Sequence, residues 1–296
     1  MTTAIQKVLV VGKSGQLANE LKATAPSHID LTLAGRNDLD ILDLSALTRF
    51  VVAGEFDALI NTSAYTAVDK AESEVEDAYA INQQAVNNMA LACKETAIPL
   101  IHVSTDFVFG GESQEPWKPD DVVAPQGVYA KSKLAGEQAI QKSYPDNSVI
   151  VRTSWLYSTF GNNFVKTMLK VMSNRPELAV VDDQIGSPTY ARGLAEFIWE
   201  LLGKSDRQAI YHWSDSGVTS WHGFAEAIAE IGAELDFLNS VPKVNTTTTE
   251  AYGAPAPRPA YSVMDCSEAY KVKSAITWQE NLRAMLTKLK DEAENV

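Results

Sequence analysis

The chain has 296 residues, of which 45% are hydrophobic and 21% charged, and its formal net charge is −13. This length can bury a substantial core in one large domain or two closely joined ones, and the composition is ordinary for a globular protein. The negative charge and the absence of a dense Lys/Arg cluster in the sequence argue against nucleic acid or a membrane surface as a partner. An anionic ligand must therefore be held by a few local donors.

The cysteine and histidine positions favour neither a disulfide nor a metal site. Cys93 and Cys266 are far apart and form no C-x-x-C pair, which is typical of thiols in a reducing compartment. The four histidines lack the spacing of a metal cluster. The sequence shows no charged segment followed by a long apolar core, and no apolar run long enough to span a bilayer. We therefore expect a soluble cytoplasmic protein without a bound metal.

Short apolar runs that are typical of buried strands alternate with helical periodicity in the first half of the chain. The runs cover residues 8–11, 29–34, 58–61, 100–104 and 148–152. A long helix is predicted over residues 75–95, and another precedes the fifth run. This alternation predicts an α/β fold with a Rossmann-type doubly wound parallel sheet.

The pattern becomes less regular after residue 155. The periodicity there predicts a helix over 164–172, a strand over 178–181, a helix over 194–202 and a loop over 240–259. We expect residues 1–155 to form a dinucleotide-binding domain, to which later segments return. Residues 156–296 would form mainly a smaller, mixed substrate-binding domain that supplies part of the ligand site.

A glycine-rich turn follows the first predicted strand and opens a helix. Gly12 and Gly15 belong to a G-x-x-G-x-x-A sequence, which departs from the G-x-G-x-x-G dinucleotide fingerprint. Such a turn lets the backbone approach a pyrophosphate, which the helix N-terminus attracts. A plain strand-to-helix turn is the alternative. A Walker-type phosphate loop is disfavoured, because Lys7 stands where that motif needs its first glycine.

An arginine follows the second predicted strand, at a place where an acidic residue usually binds a ribose diol. Arg36 can instead pair with a 2′-phosphate, which favours NADPH over NADH. NADH stays possible, and an exposed arginine in a turn is the alternative interpretation. Asp43 and Leu44 come further along the chain, where an acceptor for the adenine end is expected.

Polar side chains suited to reduction of a ketone follow the fourth predicted strand. Thr105 and Asp106 lie where that strand ends, at the edge at which open α/β sheets bind ligands. A hydroxyl there can polarise a substrate carbonyl, although turn chemistry also explains a Ser-Thr pair. Tyr129 and Lys133 share one helix face at i and i+4. We expect the lysine charge to lower the phenol pKa from roughly 10 toward neutral pH.

Several motifs together resemble one enzyme family over most of the chain. They cover residues 12–17, 64–72, 129–137, 152–157, 161–164, 183–189 and 258–259. The chain is similar to the extended short-chain dehydrogenase/reductase family and, within it, to the dTDP-4-dehydrorhamnose reductases. The resemblance implies NADPH-dependent reduction of the C4 ketone of dTDP-4-dehydro-L-rhamnose to dTDP-L-rhamnose, a precursor of cell-surface polysaccharides.

The resemblance also implies roles for individual residues on the cofactor side. Gly15, Gln16 and Leu17 would bind the pyrophosphate of the cofactor. Asp43 and Leu44 would contact its adenine end, and Ala64, Tyr65 and Thr66 would contact its ribose–nicotinamide part. Lys133 would bind the nicotinamide ribose and tune Tyr129, which would donate the proton.

On the substrate side, the resemblance implies that Thr105 and Asp106 contact the sugar and that Trp155 lies against it. Arg258 would pair with the substrate diphosphate, with a structural salt bridge as the alternative. Arg192 stands where some relatives carry a glutamate implicated in a metal-bridged dimer, so we expect a monomer or a homodimer without metal.

Two other functions remain open on the sequence. A nucleotide-sugar epimerase or dehydratase would keep NAD tightly bound and recycle its hydride. A dehydratase also needs an acid/base pair near the tyrosine, which the Thr105–Asp106 sequence lacks. A non-catalytic regulatory homologue would use the same fold, but the presence of Thr105, Tyr129 and Lys133 argues against it.

Overall fold

The computed structural model describes residues 5–294, so the outermost residues of the predicted domains 1–155 and 156–296 lie outside the described part. The strands in chain order are β1 (Lys7–Val11), β2 (Asp30–Ala34), β3 (Ala58–Asn61), β4 (Leu100–Thr105), β5 (Ser148–Thr153), β6 (Leu156–Tyr157), β7 (Glu177–Val181), β8 (Ile185–Gly186), β9 (Thr189–Tyr190), β10 (Ile210–Trp213), β11 (Thr219–Ser220) and β12 (Lys243–Thr247). The helices are α1 (Gln16–Ala23), α2 (Leu44–Gly54), α3 (Val68–Ala71), α4 (Val75–Tyr79), α5 (Ala85–Thr96), α6 (Gly127–Ser143), α7 (Phe164–Met172), α8 (Ala191–Leu202), α9 (Trp221–Glu234), α10 (Thr249–Tyr252), α11 (Ser267–Tyr270) and α12 (Trp278–Glu294).

A six-stranded sheet in the order β10-β5-β4-β3-β1-β2 forms the centre of the molecule. All of its strand pairs are parallel. The predicted α/β class with a parallel doubly wound sheet is therefore confirmed. The edge strand β10 comes from the second half of the chain and pairs with β5.

Both faces of this sheet are covered, which explains why its strands are continuous apolar runs. In β1, Val8 and Val10 join one core cluster, which includes helix α8. Leu9 and Val11 join the cluster on the other face, which includes residues of α2 and α5. The side chains alternate between faces because the strand period is two residues. Two different cores therefore meet on one strand.

The second half of the chain builds a separate core beside the carboxyl ends of the sheet strands. Tyr157, Phe224 and Leu282 are fully buried in it, together with residues of α7 and α9. Three two-stranded pairs lie here: β7 with β12 and β6 with β9 are parallel, whereas β8 with β11 is antiparallel. Between residues 5 and 294, no helix is long and apolar enough to cross a membrane.

Two predicted elements were wrong. The predicted long helix over residues 75–95 is interrupted by a π-helical turn, Ala80–Gln84. Asn82 lies in this turn and binds groups outside the helix, which local periodicity does not reveal.

The predicted loop over residues 240–259 contains β12 and α10. Its β-branched threonines form a strand because β7 offers a partner edge, which is a tertiary effect.

Candidate active site

A cavity of about 1240 Å³ lies beyond the carboxyl ends of the central strands. Its lining includes Gly12 after β1, Thr62 after β3, Thr105 at the end of β4 and Ser154 after β5. Open α/β sheets bind ligands in this crevice. Residues from the second half of the chain complete the wall, among them Gly161, Asn162, Phe164 and Trp221.

The glycine turn after β1 brings bare backbone to the cavity. Gly12 has φ +112°, and a Cβ at this position would lie 2.5 Å from the hydroxyl oxygen of Thr62. No residue with a side chain fits there without displacing its neighbours. Gly15 caps α1 without a side-chain hydrogen bond, so the first N–H groups of the helix are left for a ligand. Gln16 and Leu17 of this first turn also line the cavity.

Arg36 lies exposed at the rim of the cavity, after β2. Within residues 5–294 it makes no ion pair, so its guanidinium can take up a new anion. The neighbouring cation Lys13 is already paired with Asp38, with Nζ 3.3 Å from Oδ2. The same carboxylate accepts the Gly35 N–H at 2.9 Å, and this bond and Lys13 hold the pKa of Asp38 below its usual value.

Asp43 and Leu44, predicted at the adenine end, do not line the cavity. The Asp43 carboxylate caps α2 by accepting the Ala46 N–H at 3.0 Å. Leu44 begins that helix and packs against the core. The residues just before the cap, Leu39–Leu42, line the cavity instead. An adenine contact by Asp43 and Leu44 stays a prediction, and the loop preceding them is the part that reaches the ligand space.

Ala64, Tyr65 and Thr66 all line the cavity, in the loop after β3, and their contact with the ribose–nicotinamide part of a cofactor stays a prediction. Asn82, which no sequence motif indicated, holds this loop. Its Oδ1 accepts the Tyr65 N–H at 2.8 Å, and its Nδ2 donates to the Tyr65 carbonyl at 3.1 Å. The same Nδ2 donates to the Ser132 hydroxyl of α6 at 2.9 Å. One buried amide therefore links the loop to the helix that carries Tyr129.

Tyr65 also contacts an acidic group of the wall. Its hydroxyl donates a hydrogen bond to the carboxylate of Glu74, and this bond raises the pKa of Tyr65 to about 12. Glu74 and Asp77 both line the cavity on this side. The phenol of Tyr65 is therefore protonated at neutral pH and acts as a donor.

The structure brings Thr105, Tyr129 and Lys133 to one cavity wall. Thr105 ends β4, whereas Tyr129 and Lys133 lie one turn apart on α6. The ring of Phe107 packs edge-on against Tyr129, with centroids 5.8 Å apart. The phenol is thus fixed from one side and open to the cavity, and the Thr105 side chain lies within hydrogen-bond reach of it.

The expected direction of the tyrosine pKa shift was wrong. Burial raises the pKa of Tyr129 to about 12, and the negative charge of Asp106 adds to this rise. The hydrogen bond from Thr105 acts in the opposite direction. Lys133 does not offset the burial, because its amine is bound elsewhere. The phenol is therefore fully protonated at neutral pH.

Lys133 is almost fully buried, at 2% exposure. Its Nζ donates to the Val103 carbonyl at 2.7 Å and lies 3.4 Å from His102 Nε2. Burial lowers the pKa of Lys133 to about 8, while the Glu137 carboxylate acts to raise it. The amine is therefore able to change charge close to physiological pH.

Asp106 is a second ionisable group beside Thr105. It is 2% exposed, and its Oδ1 accepts the Thr105 hydroxyl at 3.1 Å. Burial raises the pKa of Asp106 to about 7, against hydrogen bonds from Ser262 and Thr105. Its Oδ2 has no hydrogen-bond partner among the described residues. This carboxyl can therefore donate to or accept from a bound hydroxyl.

Three aromatic side chains form the far wall of the cavity. Trp155 stacks on Trp221 with ring centroids 3.7 Å apart, and Phe164 packs against Trp221 at 4.6 Å. Trp155 has φ +46°, a backbone region that is unfavourable for a large side chain and that is found preferentially at functional sites. Trp221 was not predicted, because a tryptophan at the start of a helix is usually a core residue.

Arg258 does not line the cavity. Its Nη2 pairs with Asp69 Oδ2 at 2.9 Å, and its Nη1 donates to the Ala256 carbonyl at 3.0 Å. This geometry is the structural salt bridge that the sequence left as the alternative. The pair also lowers the pKa of Asp69. A contact between Arg258 and a substrate diphosphate stays a prediction.

Comparison with known proteins identifies the family. A family model described as RmlD substrate binding domain matches residues 6–291. The dTDP-4-dehydrorhamnose reductase of Escherichia coli is 38% identical over 293 residues, which cover 95% of this chain and 97% of that protein. The chain belongs to the dTDP-4-dehydrorhamnose reductase family. The resemblance seen in the sequence motifs is thereby confirmed.

Two further relatives agree with this membership. The spore coat polysaccharide biosynthesis protein SpsK of Bacillus subtilis is 40% identical over 260 residues, covering 87% of this chain and 88% of that protein. A crystal structure of dTDP-4-dehydrorhamnose reductase from Bacillus anthracis, in complex with NADP, superposes with a TM-score of 0.90 at 35% identity. The match covers 96% of this reductase-family chain and all of that one.

Proposed function

We propose that the chain reduces the C4 ketone of dTDP-4-dehydro-L-rhamnose to dTDP-L-rhamnose with NADPH. The observation that carries the proposal is the meeting of Thr105, Tyr129 and Lys133 on one wall of a cavity that starts at the glycine turn. Membership of the dTDP-4-dehydrorhamnose reductase family supports the substrate class. The NADP in the Bacillus anthracis reductase supports the cofactor.

The residues present fit a dinucleotide phosphate. Gly12 has room for no side chain, and the uncapped start of α1 offers N–H groups to a pyrophosphate. Arg36, without an ion-pair partner in residues 5–294, would hold a 2′-phosphate, and the loop of Ala64, Tyr65 and Thr66 would face the nicotinamide ribose. When bound, NADPH supplies the hydride that adds to C4 of the sugar.

The protein residues manage the proton of this reduction. Hydride addition to the ketone leaves an alkoxide, and Tyr129 transfers its phenolic proton to that oxygen, which yields the alcohol and a phenolate. Thr105 stabilises the developing oxyanion when its hydroxyl turns from Asp106 to the sugar oxygen. The ammonium form of Lys133 stabilises the phenolate, and solvent protons restore the phenol afterwards.

On the substrate side, Asp106 and Trp155 would contact the sugar, and Arg258 would reach the diphosphate after releasing Asp69. We place the enzyme in the cytoplasm as a monomer or homodimer that needs no metal. Residues 1–155 would bind mainly the cofactor, and residues 156–296 mainly the sugar nucleotide. The aromatic wall from the second half of the chain supports this division.

The decisive experiment follows NADPH oxidation with dTDP-4-dehydro-L-rhamnose, beside UDP-linked and C4-epimeric analogues. We expect turnover with the dTDP-linked ketone and weaker turnover with the analogues. Absence of turnover with all of them would overturn the proposal. Tightly bound NAD in the purified protein, without net NADPH consumption, would indicate an epimerase or dehydratase. NADPH binding with no turnover of any nucleotide sugar would indicate a regulatory homologue.

A further inference from the structure

A row of buried polar side chains lies behind Lys133. His102 is fully buried in β4 and faces Asn61 in the paired strand β3, at the same register position. Asn61 Nδ2 lies 2.9 Å from His102 Nδ1, and His102 Nε2 lies 3.4 Å from Lys133 Nζ. Ser63, which is half-buried and lines the cavity, binds Asn61 from the other side. The imidazole therefore connects an amide to the amine of the active site.

The hydrogen bonds of Asn61 fix the position of the histidine proton. Asn61 Oδ1 accepts both the N–H of Ser63 at 2.9 Å and its hydroxyl at 2.6 Å. The amide oxygen is thereby occupied, so Nδ2 is the atom that faces the imidazole, and it can only donate. His102 Nδ1 must accept, which leaves the proton of the neutral ring on Nε2.

This tautomer turns an N–H toward the amine of Lys133. An ammonium has three donors and no acceptor, so it gains nothing from an N–H donor that faces it. An uncharged amine has a lone pair and accepts that N–H. The long contact of 3.4 Å fits two opposed donors. The geometry thus favours the uncharged form of Lys133, in the same direction as the burial that lowers the pKa of this lysine to about 8.

The other buried histidine of the sheet provides a contrast. His212 Nδ1 lies 3.0 Å from the Trp117 carbonyl, which can only accept, so this ring carries its proton on Nδ1. Its Nε2 lone pair then faces the Arg152 guanidinium at 3.4 Å. In this chain, one buried imidazole offers a lone pair to a cation and the other offers an N–H.

We propose that His102 is a positioning residue whose tautomer, fixed by Asn61, favours the uncharged amine of Lys133 and so lets this lysine exchange a proton near neutral pH. The inference rests on the proposed function only in that Lys133 serves the reaction. When Lys133 is uncharged, its amine accepts the His102 N–H, and a solvent proton restores the ammonium that stabilises the Tyr129 phenolate.

The remaining ionisable groups around Lys133 do not provide this effect. Glu137, one turn further along α6, favours the ammonium, but its charge is compensated by Arg152 at 2.7 Å. Tyr129 is protonated at neutral pH. Asp106 lies beyond Tyr129 and influences the phenol. Apart from burial, His102 is therefore the group that opposes the ammonium.

The first test reads the tautomer directly and needs neither cofactor nor sugar. Long-range ¹⁵N–¹H NMR of the full chain with labelled histidine resolves four rings, assigned with His28→Gln at an exposed site. We expect His102 to stay neutral with its proton on Nε2 from pH 6 to 9, and His212 to carry its proton on Nδ1. A proton on Nδ1 of His102, or titration of His102 in this range, would overturn the proposal.

The second test measures the charge of Lys133 through the pH dependence of the NADPH dissociation constant. We expect binding to weaken above about pH 8 in the wild type and to lose this limb in Lys133→Met. Asn61→Asp supplies an acceptor for His102 Nδ1–H, which moves the ring proton and turns the Nε2 lone pair toward Lys133. In Asn61→Asp, the pH midpoint at which NADPH binding weakens should rise by about one pH unit, because the lone pair stabilises the Lys133 ammonium.

A double-mutant cycle separates this effect from the added charge. In a His102→Leu background, Asn61→Asp adds its charge but has no imidazole whose tautomer it could change. We therefore expect less than half of the upward shift in the pH midpoint of NADPH binding. Equal shifts in both backgrounds, or no shift in the Asn61→Asp single variant, would contradict the positioning role. A uniform weakening at every pH would indicate a purely structural role. Failure of sugar turnover alone would instead count against the proposed function.

Discussion

Tyr129 and Lys133 lie one turn apart on α6, but this spacing alone does not set the protonation state of the phenol. The amine of Lys133 is bound to the Val103 carbonyl, and burial raises the pKa of Tyr129 to about 12. A protonated phenol is the form that gives a proton to an alkoxide. The environment of Tyr129, which keeps the phenol protonated, is therefore suited to reduction of a ketone. Oxidation of the alcohol, the reverse reaction, would need the phenolate.

Replacement of Tyr129 by Phe removes the proton donor and keeps the ring. We expect turnover to fall by ~10²-fold or more, with NADPH binding unchanged. Stopped-flow rates and NADPH fluorescence titration measure the two quantities. Tyr252→Phe, at a 64% exposed position, is the matched control and should keep full activity. Near-native turnover of the Tyr129 variant would refute its role.

Replacement of Arg36 by Asp should change the cofactor preference. The change removes a cation that fits a 2′-phosphate and supplies an acceptor for a ribose diol. We expect the ratio of kcat/KM for NADPH over NADH to fall by about 10-fold or more. Arg49→Asp makes the same charge change at an exposed position of α2 outside the cavity lining and should leave the ratio unchanged. An equal effect of both variants would indicate a general electrostatic effect.

At the scale of elements, the π-helical turn Ala80–Gln84 presses against α6. A Cβ added at Gly136 would lie 2.1 Å from the Asn82 carbonyl oxygen, so this contact requires a glycine. The turn directs the Asn82 side chain to the Tyr65 backbone and to Ser132 of α6. π-helical turns are frequent at functional sites because they re-aim one side chain. Here that side chain connects a cavity loop with the helix of Tyr129.

Gly136→Ala should therefore separate the two elements. We expect Tm to fall by about 3 °C or more and KM for NADPH to rise, because the Cβ must push α6 away from the turn. Differential scanning calorimetry and initial rates measure both. Gly193→Ala in α8 is the control, since its Cβ would meet the nearest atom only at 3.6 Å. That variant should keep or slightly raise Tm through better helix propensity.

The sequence predicted the regular elements well where the signal is local. β3 (Ala58–Asn61) and α7 (Phe164–Met172) begin and end at the predicted residues, because apolar runs and helical periodicity mark them. The π-helical turn was missed, since its cause is the set of hydrogen bonds that Asn82 makes outside the helix. β12 was missed for a related reason: its sequence, Lys243–Thr247, is polar and needs the partner β7.

At the scale of the molecule, the two halves of the chain share buried polar contacts as well as the cavity. The Ser158 hydroxyl donates to Glu20 of α1 at 2.6 Å, and Asn163 Nδ2 donates to Gln16 at 2.9 Å. The side chain of Ser262 acts to lower the pKa of Asp106, which follows β4. These contacts join the two halves of the chain next to the cavity, which residues of both halves line.

Two buried carboxyls make stability depend on pH. Burial raises the pKa of Asp106 to about 7 and that of Asp215 to about 8, above the value of 3.8 in an unfolded chain. Between pH 3.8 and about pH 8 these two carboxyls bind more protons in the folded state than in the unfolded state, so their contribution to the free energy of unfolding falls as pH rises. The buried His102 and His212, whose pKa values burial lowers, act in the opposite direction up to the pKa of 6.5 of an ordinary histidine. We expect Tm to decrease from about pH 6.5 to pH 8.

Asp215→Asn should weaken this dependence, because the amide keeps an acceptor for the Tyr190 N–H and carries no charge. We expect its Tm to exceed that of the wild type by about 2 °C or more at pH 8.5 and to match it near pH 5. Asp183→Asn is the control, and we expect it to lower Tm instead of raising it. Hydrogen bonds from Thr249 lower the pKa of that exposed carboxyl, so its charged form stabilises the fold. An Asp215 variant with an unchanged pH profile would contradict this account.

Local spacing along the chain was enough to predict the parallel sheet, the glycine turn and the placement of Tyr129 and Lys133 on one helix. It also determined the family through motifs spread over most of the chain. The direction of the Tyr129 pKa shift depends on the folded environment, and so does the partner of Arg258, which is Asp69, 189 residues away. Burial and ionic partners are set by segments distant in sequence, which local patterns do not encode.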